Sequence, residues 1–138
     1  MTIVAIDTQR LSGWLKYEEE PSLGLCHEVV TINEAAAKTL VTGTVLGKVT
    51  VGGKYKVAIE TAVDGSKVAD AIYIGSVLGN DTQTVAAATD TKILVLKRGK
   101  AIVSKGALLL DSTYDNDAKK NAVYASLEAL EIFVQPTI

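Results

Sequence analysis

The chain has almost none of the residues on which enzymes usually rely. It carries one histidine (His27), one cysteine (Cys26), one methionine and two arginines (Arg10 and Arg98). A single imidazole excludes every metal or catalytic scheme that needs two of them. A lone cysteine closes no intrachain disulfide, so the fold must hold by packing. There is no excess of positive charge: 14 basic residues face 16 acidic ones, for a net charge of −2. Phosphate binders need a basic face, so nucleic acid is not an expected partner. No run approaches the 18 consecutive apolar residues of a membrane span, so no membrane partner is expected either. Residues 1–10 lack the basic region and long apolar stretch of a secretory signal, and none is expected. Together these absences argue against an enzyme and give no reason to expect a cofactor or a metal.

What remains is one ordinary domain. The 138 residues are 48% apolar and 22% charged, a globular balance in a chain long enough to bury a core.

Its pattern falls into three zones. Residues 1–21 mix a short apolar stretch (Ile3, Val4, Ala5, Ile6) with Trp14, Leu15, Tyr17 and the acidic run Glu18-Glu19-Glu20. They show no helical period, and the zone reads as an extended arm or edge strand that stops at Pro21. From about Leu25 to Leu110 the chain is a series of short β-like runs punctuated by glycine. These are Glu28–Ile32, Thr44–Val51 about Gly47, Lys54–Glu60, Ala71–Leu78, Lys92–Lys97 and Ala101–Val103. Val51-Gly52-Gly53-Lys54 reads as a hairpin turn, and the nearly continuous apolar run at Lys92–Lys97 as a buried strand. Regular strand spacing with glycine turns favours a small β-sandwich or barrel.

Near residues 116–131 the period changes. Val123, Leu127 and Leu130 fall at i, i+4 and i+7 in an Ala-, Lys- and Glu-rich stretch, which predicts a helix capped by Asp115, Asn116 or Asp117. Ile132-Phe133-Val134 then reads as a closing strand before Pro136. The expected class is mainly β with one C-terminal α-helix and an extended N-terminal arm: an arm over 1–21 and a single domain over 22–138.

The motifs that carry chemistry fail on spacing. Gly43-Thr44-Val45-Leu46-Gly47-Lys48 has three residues between its glycines where a phosphate loop needs four, and Val49 follows the lysine. Asp111, Asp115 and Asp117 approach a calcium loop, but Thr113, Asn116 and Ala122 stand where Asp/Asn, Gly and Glu are required. Cys26 and His27 are adjacent, so along a strand they face opposite ways. Glu18-Glu19-Glu20 reads as a solvated face or an acidic docking patch. Trp14 and Tyr17 read either as interface anchors or as rings folded back on their own sheet.

One pattern extends over most of the chain. Glu28–Ile32, Thr42–Val49 and Gly53-Lys54-Tyr55 are followed by Lys92–Val103, then Gly106–Asp111, the Asn116–Glu131 helix and Ile132–Val134. This order of elements, over about residues 28–134, resembles the head decoration proteins of tailed bacteriophages. The resemblance implies a lambda decoration protein-like fold and a structural virion protein. It further implies a homotrimer on the outer surface of the expanded capsid, made in the bacterial host cytoplasm. The trimer would sit at three-fold and quasi-three-fold sites and cement the shell against DNA pressure. Its partners would be the major capsid protein and copies of itself, with no cofactor.

Carried onto this sequence, the family's capsid-binding arm corresponds to Thr2, Ile3, Val4, Ala5, Ile6, Trp14, Leu15 and Tyr17. Removing residues 2–17 is then expected to leave the core folded and abolish attachment. The arm is less polar than the lambda-type pattern, and the chain is longer around Val63–Asp70. The competing reading is a β-rich host-surface adhesion or carbohydrate-binding module. It is disfavoured by the scarcity of aromatics: one Trp, one Phe and five Tyr.

Overall fold

The computed structural model describes residues 11–76 and 82–136. A helical turn, α1 (Leu11–Trp14), leads into β1 (Leu15–Glu18). The strands that follow are β2 (His27–Ile32), β3 (Lys38–Val41), β4 (Val45–Lys48), β5 (Tyr55–Val57), β6 (Ala69–Ser76), β7 (Thr82–Val85), β8 (Thr91–Leu96) and β9 (Ala101–Ser104). Helix α2 (Asp117–Ala129) and β10 (Ile132–Gln135) complete the order. The fold is mainly β with one C-terminal helix, as the sequence pattern predicts.

Five strands close a barrel in the order β2-β5-β4-β6-β8. All its ladders are antiparallel except the single Ile32–Tyr55 pairing of β2 with β5. Alternation along the strands fills the interior, with Ile32, Leu46, Tyr73, Ile93 and Val95 all buried. The β3–β7 ribbon closes over the same core with Leu40 and Val85. These two strands have no counterpart in the sequence reading. Lys-Thr-Leu-Val and Thr-Gln-Thr-Val each offer a single fully buried side chain, too little for a period-2 signal.

A second core lies between the barrel, α2 and a three-stranded sheet ordered β1-β9-β10. It gathers Trp14, Ile72, Leu96, Val103, Val123, Leu127 and Ile132. The predicted helical face is the one that packs: Val123 and Leu127 are buried and Leu130 lies against them. Asn116 caps the helix, its Oδ1 accepting the Lys119 N–H at 3.0 Å.

The hairpin turn sits where expected but is wider. β4 ends at Lys48 and β5 begins at Tyr55, with Gly52 and Gly53 at φ 90° and 71°. A side chain would be strained at either position. Lys92–Lys97 is shielded on both faces: Ile93 and Val95 fill the barrel, while Leu96 joins the second core.

The arm boundary is corrected. Residues 11–18 form a helical turn and a strand paired antiparallel to β9, so the packed domain already includes Leu11. The physical cause is Trp14, whose indole needs a dry pocket and a hydrogen-bond acceptor and finds both in the domain.

Candidate functional site

The sequence-predicted residues divide sharply. Thr2, Ile3, Val4, Ala5 and Ile6 lie outside the described residues. Trp14 is 0% exposed, and its indole N–H donates to Thr42 Oγ1 at 2.8 Å. As an exposed anchor Trp14 is therefore corrected: the ring is folded back into its own core. Leu15 is half-buried and pairs with Val103, packed against that core. Tyr17 is 53% exposed.

The register places Tyr17 in a row that the sequence did not reveal. A bulge after Leu15 sets Tyr17 opposite Ile102 of β9, and Phe133 of β10 lies opposite the same Ile102 from the other side. Residues paired across strands share a face. The outward face of this sheet therefore carries Tyr17, Ile102 and Phe133 side by side, with Phe133 40% exposed. The β10 alternation (Ile132 buried, Phe133 exposed) was readable in the sequence. The partner strand and the bulge were not.

The acidic run makes the next corner. The Glu18 carboxylate is hydrogen-bonded to His27 Nε2, and the Glu19 N–H donates to the Lys100 carbonyl at 2.9 Å. Glu20, at φ 49°, turns the chain into a short 3-10 turn, Pro21–Leu23. Leu23 and Leu25 stand exposed beside it at 79% and 46%. Cys26 is buried, and burial pushes its thiol pKa up, as expected of a small core residue. His27 is tied to Glu18, and Cys26 and His27 form no joint site.

At the barrel mouth, Asp70 Oδ2 accepts from the Tyr55 phenol at 2.6 Å and from Lys97 Nζ at 2.9 Å. Burial, then the carboxylate of Asp70, hold the Tyr55 phenol well above its usual pKa. A groove of about 410 Å³ beside it is lined by Lys48, Lys54, Lys92 and Lys97 against Glu28 and Asp90. Lys54 pairs with Asp90 at 2.9 Å, and Lys92 Nζ donates to Thr31 Oγ1 at 2.7 Å. Among the described residues Lys48 has no ion-pair partner.

The rejected motifs have structural roles. Gly47 is the close-approach point of β4: a Cβ there would overlap the Ser66 carbonyl. Asp111 accepts from the backbone N–H and hydroxyl of Thr113, and Asp115 pairs with Lys119 at 3.0 Å. Among the described residues no three His, Cys, Asp or Glu side chains converge on a metal site, and no helix is long and apolar enough to cross a membrane.

The chain therefore presents a barrel, a half-exposed aromatic sheet face that includes β1, and charged corners. No individual curated protein matches it. The family model of the bacteriophage lambda head decoration protein D matches residues 4–132, from within the N-terminal segment to the start of β10. The chain belongs to the bacteriophage lambda head decoration protein D family, structural proteins on the exterior of the phage capsid.

Proposed function

We propose that this protein is a capsid cement: a homotrimer that binds the major capsid protein at three-fold and quasi-three-fold positions of the expanded shell and stabilises it against DNA pressure. The observation that carries this reading is the family match, which begins at residue 4 and so takes in the N-terminal segment as well as the barrel.

In this reading Ile3, Val4, Ala5 and Ile6 add a strand to the capsid protein's sheet. Backbone groups supply affinity and alternate side chains supply specificity. Leu15 and Tyr17 lie just beyond, and the Tyr17–Ile102–Phe133 row faces the shell next to the arm. Ordering the arm on binding costs conformational entropy, so one arm binds weakly. Three arms on one knob bind multivalently and staple several subunits.

The test is co-sedimentation of the purified protein with expanded shells and, separately, with unexpanded procapsids of its phage. Saturable binding to expanded shells alone is the expected result. Equal binding to both would remove the dependence on maturation, and binding to neither would sink the cement reading.

A further inference from the structure

Resting on the trimer reading above, we infer that neighbouring copies join head to tail, the acidic corner at Glu19-Glu20 of one copy seating in the basic groove at Lys48 and Lys92 of the next. A ring of three identical subunits needs two different, mutually complementary patches on each subunit. The chain carries such a pair, and the two patches match in charge and in apolar content.

The first patch is a projecting corner. Glu19 and Glu20 lie where β1 turns into the 3-10 turn, and Leu23 and Leu25 stand 79% and 46% exposed beside them. Glu18 is taken up by His27, while Glu20 is exposed and Glu19 half-buried next to it. The second patch is concave. Four lysines and two carboxylates line it, so its formal charge is four minus two, or +2, on a chain whose net charge is −2. Val29, 53% exposed, is in its wall, and Val51, 87% exposed, is next to Gly52 at the hairpin tip that forms its rim.

An apolar pair ringed by opposite charges is the anatomy of a specific protein contact. Complementary charge sets partner choice and encounter rate, and the apolar contact supplies the hold. The tip also fits a docking role. Gly52 has nothing within 4 Å of the position its Cβ would take, so there is open space at the tip itself.

The experiment is a charge swap. Lys48→Glu with Lys92→Glu makes the groove acidic, and Glu19→Lys with Glu20→Lys makes the corner basic. A third chain carries all four changes. Self-association is measured by sedimentation equilibrium of the free protein. On expanded shells it is measured by zero-length Glu–Lys cross-linking of a mixture of ¹⁴N and ¹⁵N protein.

Each reversal alone should weaken association about tenfold or more, and the combined chain should recover most of that loss. Recovery separates an intermolecular pairing from simple damage to the fold, which four changes would deepen. Single reversals that associate like the parent would overturn the inference, as would a combined chain no better than either. So would a parent that is monomeric both free and on shells. Parent chains that form the charge-dependent trimer yet bind no shell would instead overturn the cement reading and leave this contact standing.

Discussion

Two side chains show how local chemistry decides what this chain can expose. Trp14 is held by a buried hydroxyl 28 residues away, so of its two readings, anchor or folded-back ring, the second holds and the ring belongs to the core. Tyr55 is the other. Its phenol donates to Asp70, which Lys97 also contacts, and its pKa is raised by burial first and by the carboxylate second. An unfolded tyrosine ionises near pH 10. With the folded value above that, the group's contribution is fully present below about pH 10 and is lost as the pH rises beyond it. Urea midpoints should therefore fall from about pH 10 upward. Tyr114 and Tyr124, also raised by burial, add to the same decline. Tyr55→Phe should cost about 1 kcal/mol at pH 7 and make the alkaline decline shallower. An unchanged alkaline slope in that variant would remove Tyr55 from the account.

At the scale of elements, β1 is the segment whose role the structure changes most. It is an edge strand, and its ladder with β9 closes the three-stranded sheet over the second core. Truncation at residue 17 would delete Trp14 and most of β1, and losing a buried tryptophan alone costs about 3–5 kcal/mol. Truncation at residue 10 spares both. Deleting residues 2–10 should leave the urea midpoint and the blue-shifted emission of the single tryptophan unchanged. Deleting 2–17 should lower the midpoint steeply. Equal stability of the two would mean that β1 contributes little.

Why one element was legible and another was not follows from the same physics. The α2 helix and its cap were readable because Val123, Leu127 and Leu130 repeat at 3.6 residues and Asn116 stands just before them. The barrel strands β2, β6 and β8, and β9 of the three-stranded sheet, were readable because each is rich in β-branched or aliphatic residues. β3 and β7 are short and threonine-rich, and only their pairing gives them structure. The site was readable only in part. Tyr17 is conspicuous by type, but Ile102 and Phe133 join it through a register and a bulge that no local pattern encodes. The basic groove draws lysines from positions 48 to 97, brought together by barrel closure alone.

For the whole molecule, the proposed trimer raises the question of what three weak arms would accomplish that one could not. Ten fully extended residues span at most about 35 Å, enough, in the proposed trimer, for an arm to lie along a neighbouring capsid subunit's sheet. In that reading, once one arm is engaged the other two would search at high effective concentration, and avidity can exceed single-arm affinity by about 10²–10⁴. Deleting residues 2–10 should therefore lower affinity for expanded shells by a factor of that order while leaving the domain folded. What survives should be weak binding through the Tyr17–Ile102–Phe133 face. That residue of binding should respond little to salt, because the face is apolar and salt screens only charged contacts. Lys-to-Glu changes in the groove should act differently, weakening assembly of the knob while leaving each arm's own contact with the shell unaltered. Binding isotherms of the two variants on the same shells tell these apart. The arm deletion lowers affinity at every occupancy, whereas the groove reversal shifts the protein concentration at which trimers form. Full occupancy by the arm-deleted protein at the parent's concentration would show that the barrel, and not the arm, holds the shell.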